Sequence, residues 1–198
     1  MSKQYFENNP NLVSEPINFT YYFKKNLLNF KSDNGVFSKR GVDFGSSLLL
    51  QSVEIRDREE VLDVGCGIGI MGITVAKSNP TCHVDMVDVN LRAINLTKEN
   101  CIQNKVENSD VFESFAYTNV TKKYDVIITN PPIRAGKKVV YDIILGSYEH
   151  LNNGGRMYCV IQKKQGAESS IKALRTIYSN VEIINKDNGY CIIRCVKE

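Results

Sequence analysis

The sequence predicts a doubly wound α/β domain with a mostly parallel sheet, and three observations predict it. From residue 60 onward, short apolar runs alternate with helical stretches, the pattern of parallel strands covered on both faces. The first of these runs, VLDVG, passes into a glycine-rich turn at Gly65, Gly67 and Gly69 before a helix begins. The chain closes with VEIINKDNGYCIIRCVKE, two apolar strands meeting at a strong turn signal, which adds an antiparallel C-terminal hairpin to the parallel sheet.

In chain order, INFTYYFKKNLLNFKSDNGVF alternates apolar and polar residues around KKN and then meets DNG, a strong turn signal, which predicts a small N-terminal β-hairpin. GSSLLLQSVEI follows as a helix capped by Ser46 or Ser47. The strand–helix pairs are then EVLDVG with IMGITVAKS, HVDMVDV with LRAINLTKENCIQN, the strand KVENSDVF, YDVIITN with VVYDIILGSYEHL, and RMYCVIQ with AESSIKALRTIYS. In the fourth of these helices Val140, Ile143, Ile144 and Leu151 fall near helical spacing, so one face should lie on the sheet.

The 198 residues suit one domain, 1–198, on a prior of roughly 150 residues per domain. No stretch approaches the ~18 uninterrupted apolar residues of a membrane helix, and MSKQYFENNPN lacks the basic-then-apolar pattern of a secretory signal, so no membrane association and a cytoplasmic location are expected. The six cysteines form no CxxC pair and are expected to be reduced, with Cys191 and Cys195 on one face of a strand. With only His83 and His150 as further soft ligands, no metal site is expected. The net charge of +3 suits RNA and an ordinary enzyme alike, so the placement of the basic pairs matters more than their number.

VLDVGCGIGIMGI carries the first chemistry. Glycines let the backbone turn tightly and let a ligand approach where a Cβ would obstruct it. The spacing is GxGxG, with Ile70 where the dinucleotide fingerprint wants glycine, which moves weight away from NAD. Alone, such a turn is also an ordinary strand-to-helix connection. Asp88, nineteen residues beyond Gly69, ends the second strand of the series and can accept hydrogen bonds from both ribose hydroxyls. Asp85 is the alternative acid, but an odd separation turns it to the other face. Asp63 could face an ammonium group through water or merely stabilise the turn, and Asp110, read as the end of the third strand, could bond an adenine amine or cap a helix.

TNPPIRAGK carries the second. Prolines have no N–H, so NPP stops the ladder after YDVIITN and leaves the Asn130 side-chain oxygen and the Pro131 carbonyl free to accept from an NH2 group. An amine on a base or amide is a poor nucleophile because its lone pair is delocalised. Two acceptors on its hydrogens favour the pyramidal geometry in which that lone pair attacks. Asn-Pro alone would mark only a turn.

Together, VLDVGCGIGIMGI, Asp88, SDVF and TNPPI resemble the class I S-adenosylmethionine-dependent methyltransferases. GVFSKRGVDFGSSLLL, NPPIRAGK and QKKQGA resemble, more narrowly, the small-domain family that includes the 16S ribosomal RNA guanine-N2 methyltransferases. The likeness runs from about residue 17 to nearly the end. It implies a seven-stranded Rossmann-like methyltransferase sheet. S-adenosylmethionine, leaving as S-adenosylhomocysteine, would lie over Gly65, Cys66, Gly67 and Gly69, with Asp63 and Asn130 beside it, ribose at Asp88 and Val89, and adenine near Asp110 and Val111. It also implies that residues 1–45 supply a hairpin and a covering loop in which Phe37 and Ser38 meet cofactor and substrate.

The expected activity is N-methylation of a guanine in ribosomal RNA or the small ribosomal subunit, with Asn130, Pro131 and Pro132 catalytic. Ile133, Arg134, Lys137, Lys163 and Lys164 would contact the substrate, the basic residues at its phosphates. Ile133 stands where the family often has an aromatic residue, so stacking would fall to Phe37 or Tyr190. The two-domain relatives carry a second, degenerate half that is not seen here. Monomer and homodimer stay open. So do glutamine-amide or DNA-base methylation, and a non-catalytic RNA-binding module that keeps the fold.

Overall fold

The computed structural model describes residues 11–198; the opening segment considered above for a secretory signal lies, but for Asn11, outside the described residues. Among the described residues nine strands and five α-helices follow one another. The hairpin β1 (Ile17–Phe23) and β2 (Asn26–Ser32) comes first, then α1 (Phe44–Ser52), β3 (Glu60–Val64), α2 (Ile70–Ser78), β4 (His83–Asp88), α3 (Leu91–Gln103) and β5 (Ser109–Glu113). Next are β6 (Tyr124–Thr129), α4 (Lys137–His150), β7 (Leu151–Gln162), α5 (Ala167–Leu174), β8 (Asn180–Asp187) and β9 (Tyr190–Val196). The main sheet has seven strands in the order β5-β4-β3-β6-β7-β9-β8, parallel from β5 to β7 and antiparallel at β9 and β8. The doubly wound sheet, its antiparallel end and the separate N-terminal hairpin are as the sequence predicts.

Alternation along the strands sorts the core into two layers. Val61, Val84, Met86, Val126, Ile128 and Tyr158 face α1, α2 and α3, while Leu62, Val64, Val87, Ile127, Met157 and Ile161 face α4 and α5. Helices on both faces bury the central strands, which is why β3, β4 and β6 read as nearly continuous apolar runs. Cys191 and Cys195 do share the α4–α5 face, and all six cysteines are buried free thiols.

The β1–β2 hairpin lies on α2 and α3 rather than on the main sheet. Two asparagines one helical turn apart, Asn100 on α3 and Asn104 capping its C-terminus, attach it. The Asn100 side chain accepts from Lys31 N–H (2.8 Å) and donates to Lys31 C=O (3.0 Å), and Asn104 repeats the pattern at Asn29 (2.8 and 2.7 Å). Each amide thus stands in for a residue of a neighbouring strand along the open edge of β2. Asn100 also donates to the Ile68 carbonyl (2.9 Å), tying the hairpin to the glycine turn.

Four boundaries differ from the sequence expectation. The hairpin turns at Lys24–Lys25; Asp33–Gly35 follow β2 instead and open the loop that leads to α1. The first helix is capped by Asp43, whose carboxylate accepts from Ser46 N–H, because the helix starts at Phe44 and leaves Ser46 and Ser47 inside it. Leu151 is buried, but it begins β7 rather than ending α4. Asp110 opens β5 instead of closing it.

Candidate active site

The switch point of the sheet lies between β3 and β6, where successive connections run in opposite directions, and the carboxyl ends of these strands border a cavity of about 850 Å³. Val64, Gly65, Gly67, Asp88, Val89, Asn130, Pro131, Pro132, Ile133 and Arg134 line it from the sheet side. Val36, Phe37, Ser38 and Asp43 close it from the loop before α1. That loop is tied to the start of α3: Asn90 donates to the Gly35 carbonyl (2.9 Å) and Arg92 to the Asn34 carbonyl (3.0 Å). Ser38, held at φ 59° in the left-handed region, donates its hydroxyl to the Gly41 carbonyl.

The glycine turn folds around a carboxylate and a carbonyl. Gly65 and Cys66 N–H both donate to the Val87 carbonyl (2.9 Å each), and Gly67 N–H donates to Asp88 Oδ2 (2.8 Å). Gly65 and Gly67 have φ of 73° and 57°, and a Cβ on either would meet nothing within 4 Å, so both face open cavity. Gly69 differs. A Cβ there would come within 2.7 Å of Thr97 Cγ2 and 2.9 Å of Ile73 Cδ1, so this glycine serves packing. A bend that keeps space where side chains would project fits the backbone-hugging ligand that GxGxG implies.

Two buried carboxyls lie under this bend. Burial raises the Asp88 carboxyl above its ordinary range, against the N–H donors of Asn90, Gly67 and Val89 that lower it. Burial pushes Asp63 up to about 7; the Gly72 N–H opposes this, and the neighbouring Asp88 adds to it. Asp63 Oδ2 accepts from Gly72 N–H (2.8 Å), while its buried Oδ1 has no partner among the described residues.

At the NPP corner, the β6 ladder ends at Thr129, paired with Cys159, and Thr129 Oγ1 donates to the Val64 carbonyl (2.8 Å), locking β6 to β3. Asn130 Nδ2 then donates to Ser46 Oγ (3.0 Å) and Asp43 Oδ1 (3.2 Å). With its nitrogen held on α1, the amide turns its oxygen to the other side. The Pro132 carbonyl is taken by Ala135 N–H (2.9 Å), whereas no backbone N–H of the described residues reaches the Pro131 carbonyl. The corner therefore offers acceptors and no backbone donor at either proline.

The remaining expected residues fall elsewhere. Cys66 turns its thiol toward Thr97 (3.9 Å), away from the cavity. Asp110 pairs in register with Asp85, three positions or roughly 10 Å short of the carboxyl edge, where Glu113 stands beside Asp88. It belongs instead to a polar group with His83 (3.0 Å), which also touches Asp85 (3.1 Å). Asp85 in turn takes the Tyr124 hydroxyl (2.6 Å) and Lys122 (3.1 Å). His83, Asp85 and Asp110 are the one grouping of metal-ligand type among the described residues, and Lys122 already supplies its cation. Val111, next to Asp110, likewise does not line the cavity; Ser114, Phe115 and Ala116 do.

Lys137 lies over the Tyr141 ring (5.0 Å), outside the cavity lining. Lys163 and Lys164, with Lys172, line a second depression of about 740 Å³ that shares Gln162 with the first. Asp43, in the covering loop that the resemblance implies, and Gln162 and Gln165, in QKKQGA, are cavity residues that the sequence did not single out, while Tyr190, the stacking candidate, is there and packs on Phe44 (5.5 Å).

The family model described as methyltransferase small domain matches residues 27–194. The uncharacterized protein YbxB of Bacillus subtilis is 42% identical over the whole of both chains. Ribosomal RNA small subunit methyltransferase C of Erwinia tasmaniensis is 38% identical across 67% of this chain and 40% of its own length; that of Psychromonas ingrahamii is 33% identical across 82% and 46%. The chain thus spans less than half the length of these two relatives. Among solved structures, the T. thermophilus 16S rRNA N2 methyltransferase RsmC, in complex with AdoMet and guanosine, superposes with a TM-score of 0.84 at 23% identity, over 96% of this chain and 52% of that one. A precorrin-6y C5,15-methyltransferase from Geobacter metallireducens follows at 0.68 and 16%, over 85% and 94%. These two likenesses are of fold.

Proposed function

The chain belongs to the methyltransferase small-domain family, and from that premise we propose that it methylates the exocyclic N2 amine of a guanine in 16S ribosomal RNA, using S-adenosylmethionine. The observation that carries the reading is the clamped Asn130 amide: Ser46 and Asp43 hold its nitrogen, so its oxygen is set as an acceptor beside the free Pro131 carbonyl.

When bound, S-adenosylmethionine supplies an electrophilic methyl group on a positively charged sulfur. The chain's own residues do the rest. Gly65 and Gly67 leave room for it, Asp88 would accept from its ribose hydroxyls, and Ser114 to Ala116, rather than Asp110 and Val111, would form the wall at its adenine end. Asp63, buried beneath the bend, holds the turn through Gly72 N–H and keeps one oxygen without a partner among the described residues.

A guanine must leave its stack for its amine to enter the cavity. Phe37 and Tyr190 give the aromatic surface that Ile133 does not, and Asn130 Oδ1 and the Pro131 carbonyl take the two amine hydrogens. This orientation directs the nitrogen lone pair and needs no strong base, since the methylated amine, once cationic, loses its proton readily. Arg134 at the cavity and Lys163, Lys164 and Lys172 in the adjoining depression, which Glu168 also lines, offer flanking phosphates basic contacts. Assembled or assembling small subunits in the cytoplasm are the proposed place of action.

The test replaces Asn130 with Ala and follows labelled methyl transfer to small ribosomal subunits and, in parallel, to release factors. Transfer to ribosomal RNA should fall by about 100-fold or more, while S-adenosylhomocysteine still binds in calorimetry. A variant with normal turnover sinks the mechanism, and label on the release factors instead moves the reaction to a glutamine amide.

A further inference from the structure

Resting on that reading, we propose that Asp43 is the residue that selects guanine: its second carboxylate oxygen accepts the N1–H of the base while Asn130 Oδ1 accepts from the adjacent N2 amine. Asp43 Oδ1 is fully committed, to Ser46 N–H (3.0 Å) and to Asn130 Nδ2 (3.2 Å). Asp43 Oδ2 is shielded from solvent and has no hydrogen-bond partner among the described residues, although the residue lines the cavity. A carboxylate oxygen cannot turn into a donor by rotating, so this position demands an N–H or O–H from whatever occupies the site. A buried acceptor without one is costly, and a ligand that supplies one gains what the free protein lacks.

The surroundings sharpen the demand. Gln162 Oε1 is a second buried acceptor on the cavity wall without a partner among the described residues, and the Pro131 carbonyl is a third acceptor nearby. The pocket is thus rich in acceptors. Guanine alone among the common bases places a ring N–H next to its exocyclic amine. Adenine and cytosine put a ring lone pair there, and a glutamine amide puts its carbonyl oxygen, each of which would face Asp43 with negative against negative. Because one carboxylate both holds the Asn130 amide and offers the free oxygen, the acceptor that orients the amine and the acceptor that reads the neighbouring position form one rigid unit. Discrimination by an unmatched buried polar group is the kind that reaches large ratios.

Asp43→Asn tests this. Asparagine caps a helix as well as aspartate, and its oxygen can keep both bonds of Oδ1, so the fold and the Asn130 clamp survive. Its NH2 would replace the free acceptor with a donor. The probes are guanosine and 2-aminopurine riboside, which keeps the amine but carries a lone pair at N1. The readouts are kcat/KM for labelled methyl transfer to each and Kd for S-adenosylhomocysteine. Wild type should prefer guanosine. In the variant the guanosine to 2-aminopurine ratio should drop by roughly 10- to 100-fold, with S-adenosylhomocysteine affinity within about threefold of wild type. An unchanged ratio overturns the proposal, and so does a tenfold or greater loss of S-adenosylhomocysteine binding, which would give the carboxylate to the cofactor's ammonium. Wild type that labels ribosomal RNA but treats the two nucleosides alike also overturns it, and leaves the methyltransferase reading standing. Wild type that labels no RNA removes that reading, and this one with it.

Discussion

Gly67 and Gly69 stand two residues apart in one turn, both at positive φ, yet alanine at each should fail in a different way. At Gly67, φ is 57° and a Cβ meets nothing within 4 Å, so the fold bears only the left-handed strain, about 1–2 kcal/mol for an L-residue. For a domain of this size that lowers Tm by roughly 2–8 °C. The added methyl, however, projects into the cavity, the space proposed for the cofactor. At Gly69 the same strain is joined by contacts of 2.7 Å to Thr97 and 2.9 Å to Ile73. Thr97 is fully buried and its hydroxyl donates to the Gly67 carbonyl (2.8 Å), so it cannot simply swing aside. Overpacking adds about 1–3 kcal/mol, for a total of about 2–5 and a Tm loss of roughly 4–20 °C. Thermal unfolding and calorimetric titration with S-adenosylhomocysteine separate the two. Gly67→Ala should stay folded and lose binding by 100-fold or more, on the order of 3 kcal/mol, and Gly69→Ala should be the less stable protein. A Gly67→Ala variant that binds with wild-type affinity would refute the assignment of this bend to the cofactor.

Three further perturbations follow from the same geometry. With the Asp63 carboxyl raised from 3.8 to about 7, the folded protein holds a proton that the unfolded chain releases; this contribution to stability is full below about pH 4 and is lost as pH rises to about 7. Asp63→Asn should flatten the fall in Tm of the ligand-free protein between pH 4 and 7, and an equal slope in both proteins would contradict it. Lys163→Ala with Lys164→Ala should weaken RNA binding and lower the salt slope of log K by about 1.4, at 0.7 per phosphate of a single strand, with S-adenosylhomocysteine binding unchanged; an unaltered slope places the phosphates elsewhere. Asn100→Ala leaves Lys31 N–H and the Lys31 and Ile68 carbonyls without their partner and should cost about 2–4 kcal/mol in urea unfolding. A loss below about 1 kcal/mol would mean that the Asn100 amide contributes little to holding the hairpin.

What the sequence disclosed was whatever is written locally. That Gly65, Gly67, Asp88 and the NPP corner meet at one cavity was readable because each combines a strand end with a residue whose chemistry is unusual there: no Cβ, an acid closing a strand, no N–H. Asp110 was misplaced because β5 is a half-exposed edge strand, with no continuous apolar run to mark its ends; its register is set by the ladder to β4. Asp43 was invisible for another reason. Its task depends on Asn130, 87 residues away, and no local pattern reports a contact of that span. The Asn100 and Asn104 ladder on β2 is hidden in the same way, as two ordinary polar residues on a helix until the hairpin edge arrives beside them.

The most direct measurement is to incubate the protein with methyl-labelled S-adenosylmethionine and small ribosomal subunits from cells lacking it, digest the RNA to nucleosides and identify the labelled one by mass spectrometry. N2-methylguanosine is the expected product. Label on any other nucleoside, or on protein, would contradict the account.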